Sequence, residues 1–235
     1  MTNANVEFRR FDSAPALATQ VAGDIAAQLA NAIALRGAAS LLVSGGHSPI
    51  RLFEQLRVQA LDWSRVSIGL VDERWVDLTD PASNERMARE ALLHDQAASA
   101  QFFGLKNSAA TPDLGAAAAW SALAHLPRPL DLTVLGMGDD GHTASLFPGS
   151  PNLPAALDLE APEGCVGMRS PSPPQARLSV NLRALLNSRR ILILMLGEGK
   201  LRTYAAASRP GPVAQMPIRA VLRQESVPVE VVWAP

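Results

Sequence analysis

Residues 135–149 read LGMGDDGHTASLFPG and contain a literal G-x-G-x-x-G at Gly136, Gly138 and Gly141. As a dinucleotide fingerprint, this turn would open a long helix and lead to a second parallel strand, with an acidic residue ~20 positions further on. Asp158 and Glu160 lie near that distance, but Pro148, Pro151 and Pro154 leave no room for the helix between them. Asp139 and Asp140 would also set negative charge against a pyrophosphate. A nicotinamide site is excluded, and the residue that gains weight is His142, directly after the last glycine. A histidine on a glycine-rich loop is suited to general acid/base work near neutral pH.

Outward from this loop the chain alternates. Short apolar runs of buried-strand type occur at 39–43 (ASLLV), 66–71 (VSIGLV), 130–135 (LDLTVL), 191–196 (ILILML) and 227–233 (VPVEVVW). Helical patterns separate them. Leu17, Val21, Ile25, Leu29 and Ile33 recur at helical spacing, with Asp12 or Ser13 as cap and Gly37 as stop. Ser48-Pro49 opens a helix carrying Leu52, Phe53 and Leu56, with Ser48 as the expected N-cap. Further helices are expected over 83–93 and near 199–207, and an Ala-rich segment occupies 114–124. Apolar strands separated by helices predict an α/β fold, mainly a parallel sheet with helices on both faces. The Pro-rich stretch 148–174 interrupts the rhythm, and no composition shift forces a boundary within 1–235, so one domain is expected.

In an open parallel sheet, ligands bind beyond the carboxyl ends of the strands. The segments that follow the predicted strands are SGGHSP (44–49), DERW (72–75), GMGDDGHTAS (136–145) and GEGK (197–200). Glycines and ionisable side chains therefore gather on one rim. Gly45 and Gly46 let the backbone approach a phosphate closely, and the helix predicted to start at Pro49 points its N-terminal N–H groups at the anion. Arg74 is suited to a bidentate anion contact, and Asp72 to orienting a histidine or polarising water. DDGH has no further His or Cys at ligand spacing, which disfavours a metal. No G-x-S-x-G elbow supports a serine nucleophile. Cys165, the only cysteine, reads as a small hydrophobe and excludes an internal disulfide.

Bulk composition bounds the partners. The chain has 235 residues, is 48% hydrophobic and 18% charged, and carries a net charge of −1. Near-neutrality removes the electrostatic case for nucleic acid or an anionic membrane. There is no secretory h-region at the start and no ~20-residue apolar run. A soluble cytoplasmic protein, monomeric or a small homo-oligomer, is expected.

SGGHSP, VDERWV with the later SN at 83–84, LGMGDDGHTASLFPG, SPSPPQARLS and LGEGK occur in the order and spacing of 6-phosphogluconolactonases. The resemblance spans residues 8 to 233, and GMGDDGHTASLFPG is its most specific part. It implies hydrolysis of 6-phospho-D-glucono-1,5-lactone in the oxidative pentose phosphate pathway, with a phosphosugar lactone as the small-molecule partner and neither metal nor organic cofactor. The implied fold is the modified Rossmann-like one shared with glucosamine-6-phosphate deaminases. On that basis His142 is the expected acid/base, oriented or charge-balanced by Asp72. Ser44, Gly45, Gly46, Arg74, Gly138, Arg177 and Lys200 are the expected substrate contacts. Two loops depart from the family pattern, at three positions. His47 and Ser48 stand where Ser and Thr are usual, and Ser172 where a Lys is usual. The deaminases of this fold continue after the histidine as Ile-Ala-Phe-Asn-Glu, whereas this chain continues as Thr143, Ala144, Ser145, Leu146 and Phe147. The carboxylate that assists ring opening is missing.

Overall fold

The computed structural model describes residues 5–235. In chain order its elements are β1 (Val6–Arg10), α1 (Ala14–Arg36), β2 (Ala39–Val43), α2 (Ile50–Leu56), β3 (Val66–Leu70), β4 (Asp72–Arg74), α3 (Asn84–Ala91), β5 (Gln101–Phe103) and α4 (Pro112–Leu123). There follow β6 (Leu132–Gly136), α5 (Leu153–Leu157), β7 (Cys165–Arg169), β8 (Ala176–Val180), α6 (Leu182–Leu186), β9 (Ile191–Leu196), α7 (Glu198–Ala207), α8 (Ile218–Arg223) and β10 (Val229–Ala234). Seven strands form one sheet in the order β1-β10-β9-β6-β2-β3-β5, and every pairing in it is parallel.

The sheet is parallel because its central strands have apolar residues on both faces. β2 and β3 are buried at all five positions, and β9 at five of six. Such strands need cover on each side, which helical crossovers provide. α1 buries Leu17, Val21, Ile25 and Leu29 against the sheet. It starts where Ser13 accepts a bond from the Ala16 N–H at 3.3 Å, and it stops where Gly37 turns left-handed at φ +80°. α3 is capped by Ser83.

Two features differ from the sequence expectation. The helix after the first glycine loop begins at Ile50, with Pro49 in the cap position and no capping bond from Ser48. The second difference is larger. β4, β8 and β7 form a separate antiparallel three-stranded sheet, in the order β4-β8-β7. β4 follows β3 almost directly, so DER is a strand and not a loop. Its alternation turns Asp72 and Arg74 to one face and Glu73 to the other. The Pro-rich stretch holds α5 and β7, and the small sheet it helps to build forms one wall of the cleft described below.

Candidate active site

A cavity of about 490 Å³ lies at the carboxyl edge of the parallel sheet. All nine expected site residues line it: Ser44, Gly45, Gly46, Asp72, Arg74, Gly138, His142, Arg177 and Lys200. Asn84 and Ser172 line it as well. His47 is exposed and belongs to a neighbouring hollow instead.

Three short segments build the cavity. In the first, the N–H groups of Gly45, Gly46 and His47 have no hydrogen-bond partner among the described residues. Gly46 has φ +90°, which favours glycine. Gly45 is fixed by contact, because a Cβ there would fall 1.7 Å from Asn84 Oδ1. The open donors, more than the field of the seven-residue α2, make this loop suitable for an anion.

The second segment is the small sheet. Arg74 and Arg177 are register partners on β4 and β8, so two guanidinium groups stand side by side. Arg177 is 7% exposed, and burial followed by the charge of Arg74 lowers its pKa, while Asp72 and Glu73 act the other way. Like charges opposed across a strand pair are unfavourable unless something negative joins them. Arg177 is held by a 2.8 Å bond from Nε to the Pro174 carbonyl, and Arg74 by one of 2.7 Å from Nη1 to the Ala82 carbonyl. On the opposite face of β4, fully buried Glu73 caps α3. It accepts from the backbone N–H groups of Asn84 (2.7 Å) and Glu85 (2.8 Å), and from Ser83 Oγ (3.2 Å). Burial pushes its carboxyl up to about 7, against the pull of those donors toward the anion.

The third segment is the Gly136–Gly141 loop. His142 Nδ1 bonds Asp140 Oδ1 at 2.6 Å, and the His142 backbone N–H bonds the same oxygen at 3.0 Å. Burial alone would raise the Asp140 carboxyl, but the hydrogen bonds from His142 outweigh it and hold that group below the usual carboxylate range. Gly138 makes room for this pair, since a Cβ there would lie 2.0 Å from Nδ1. The Phe147 ring packs on the imidazole, with centroids 4.4 Å apart. The expectation that Asp72 orients His142 is therefore corrected at the ring nitrogen, where Asp140 is the partner. Asp72 is occupied elsewhere. Its Oδ2 accepts from Ser145 Oγ at 2.5 Å, and its Oδ1 from Asn84 Nδ2 at 3.3 Å. Lys200 reaches the cavity rim paired to Asp139 at 2.8 Å.

Sequence reasoning passed over Asp140, Asn84 and Ser145. The spacing of an acid two residues before a histidine in a tight turn was a usable signal for the first. Asn84 and Ser145 stand in the motifs that carry the family resemblance, but their pairing with Asp72 joins separate segments and leaves no local signal. Among the described residues, three buried side-chain atoms lack a hydrogen-bond partner: Arg57 Nε, Arg74 Nε and Asn84 Oδ1. Arg57 Nε has an ion-pair partner in Asp95 at 2.9 Å. The other two belong to residues that line this cavity. No three His, Cys, Asp or Glu side chains gather as a metal-binding cluster among the described residues. The Cys165 thiol is pushed up to about 12 by burial, which leaves it inert.

The sheet order and the polar cleft at its carboxyl edge define a Rossmann-like α/β protein of the glucosamine-6-phosphate deaminase-like type. More particularly, the chain belongs to the family described as glucosamine-6-phosphate isomerases/6-phosphogluconolactonase, whose model matches residues 12–233. It is 44% identical to a 6-phosphogluconolactonase of Rhizobium meliloti (strain 1021), over 96% of this chain and 97% of that protein. The crystal structure of a 6-phosphogluconolactonase from Shewanella baltica OS155 superposes with a TM-score of 0.95 at 46% identity, covering 100% of both chains. A monomeric glucosamine-6-phosphate deaminase shares the fold alone, with a TM-score of 0.76 at 17% identity over 97% of each chain. No helix among the described residues is long and apolar enough to cross a membrane.

Proposed function

We propose that the chain hydrolyses 6-phospho-D-glucono-1,5-lactone to 6-phosphogluconate, the lactonase step of the oxidative pentose phosphate pathway, without a metal or organic cofactor. The observation that carries this reading is the coexistence, in one cavity, of an Asp140–His142 pair and an arginine pair beside open backbone donors. The names of its relatives at 44% and 46% identity point the same way.

The ionised Asp140 accepts the Nδ1 proton of His142, which leaves Nε2 as the basic nitrogen. Nε2 takes a proton from water as its oxygen adds to the lactone carbonyl at C1. The bond from C1 to the ring oxygen then breaks, and the same proton passes to that oxygen, giving the open-chain acid. A lactone is an activated ester, so a positioned base suffices without a covalent intermediate. The N–H groups of Gly45 and Gly46, with Arg74 and Arg177, take the phosphate. Binding energy at that remote group fixes C1 against the imidazole. Lys200, already neutralised by Asp139, is assigned to the rim rather than to the phosphate.

A proton-release assay with freshly generated lactone, corrected for spontaneous hydrolysis, tests the proposal. Turnover that survives EDTA is expected. Turnover lost on chelation and restored by one divalent ion would overturn the metal-free mechanism, and absent turnover would overturn the reaction itself.

A further inference from the structure

Asp72 was expected to serve His142, and its two carboxylate oxygens are held by other groups. Ser145 is 0% exposed, and its hydroxyl donates to Asp72 Oδ2 at 2.5 Å. The Ser145 backbone N–H is itself anchored on β8, bonding Ser179 Oγ at 3.2 Å. Asn84 donates to the Asp72 backbone carbonyl at 2.8 Å and to Oδ1 at 3.3 Å. The weaker contact falls on Oδ1, and Asp72 lines the cavity, so that oxygen keeps capacity for a further donor.

The residue before Ser145 adds an independent observation. Ala144 has φ +48°, in the left-handed region that alanine rarely occupies. A strained backbone persists where surrounding structure over-determines it, and it gathers at sites that need one particular geometry. Here it lies between His142 and Ser145. One loop thus carries the acid that fixes the imidazole (Asp140), the imidazole itself, and the hydroxyl that fixes the second carboxylate.

We propose that Ser145 is a positioning residue for the reaction: its hydroxyl fixes the Asp72 carboxylate so that Oδ1 faces the substrate, and the His142 loop thereby sets both polar groups at once. The proposal rests on the lactonase reading for its kinetic arm only. Asp72 accepts a hydroxyl hydrogen bond from the sugar lactone, and Ser145 acts through Asp72 without touching substrate.

The test is a double-mutant cycle of Ser145→Ala and Asp72→Asn, joined to a crystal structure of Ser145→Ala. Ser145→Ala is expected to lower kcat about tenfold, with KM changed less than about threefold. In the Asp72→Asn background the same substitution is expected to cost nothing further, because the group it positions is already lost. Equal losses in both backgrounds would overturn the proposal, since a merely structural hydroxyl costs the same in each. So would an unchanged kcat. Should Ser145→Ala not fold, Ser145→Cys keeps the volume and a weak donor, and both arms are read on it with a smaller loss expected. In the crystal structure the Asp72 side chain is expected to leave its present rotamer, and an unmoved Asp72 would overturn the proposal. A wild-type protein inert on the lactone overturns the proposed reaction, while the crystallographic arm still decides the role of Ser145.

Discussion

The two ends of the parallel sheet treat buried charge in opposite ways. Near the amino ends of the strands, Glu230 and Asp131 are each 2% exposed and fully matched. Glu230 pairs with Arg9 and Arg190, both at 2.6 Å. Asp131 pairs with Arg36 and with Arg189 at 3.5 Å, and it also accepts from the Ser40 N–H at 2.9 Å. At the carboxyl ends, Arg74 and Arg177 face each other across a strand pair, and Arg74 Nε and Asn84 Oδ1 lack partners. The matched end has the larger hollow, about 1120 Å³ against about 490 Å³. Cavity size therefore does not single out the candidate site. Unsatisfied polarity does, because a buried group without a partner is costly and persists where a ligand completes it.

Substitutions at the two ends should separate accordingly. The largest effect is expected at the carboxyl end, from His142→Asn. Its turnover should fall about 10²–10⁴-fold with the melting temperature unchanged, as measured by proton release and calorimetry. A well-folded variant with near-normal turnover would remove His142 from the chemistry. Next comes Asp131→Asn at the amino end, where two partly exposed arginines lose their carboxylate. It should lose about 2 kcal/mol in denaturant unfolding with kcat unaltered. An activity loss there would show that the two ends are not separate.

Arg177→Leu sharpens the contrast from the other side. Removing one of two opposed cations should raise KM about ten- to a hundredfold while leaving stability equal or higher. A clear stability loss would mean that Arg177 is structural, like the arginines of the amino end. His47→Ser should do least. The side chain is exposed and outside the cavity lining, so KM should move less than about threefold. A large loss of turnover at neutral pH would mean that the histidine roles are assigned wrongly.

How much of this was legible in the sequence depended on whether one segment held the whole signal. Runs such as ASLLV and ILILML announce buried parallel strands because both faces are apolar, and β2 and β9 occupy those ranges as read. The three-stranded sheet was illegible for the opposite reason. DER has no apolar run, and β7 and β8 flank a Pro-rich turn, so pairing among distant short segments creates that sheet. The rim of glycine loops could be placed from strand ends alone. The partners of Asp72 could not, because Ser145 lies 73 positions away and reaches it only through the tertiary fold. The partner of His142 was two residues away, yet Asp140 was weighed only as a charge unfavourable to pyrophosphate and as part of a metal site that lacked further ligands.

Gly138 has a consequence for anyone who randomises this loop. In a dinucleotide fold the middle glycine of G-x-G-x-x-G is an erased side chain whose volume a phosphate occupies. Here the erased volume is occupied by an imidazole from the same loop, with Nδ1 at 2.0 Å from where a Cβ would stand. A saturation library at position 138 should return glycine alone among active clones. At Gly149, which has φ +74° and open space around its missing Cβ, asparagine and aspartate should be recovered as well. The motif thus encodes a vacancy, and its tenant has to be found from the rest of the chain.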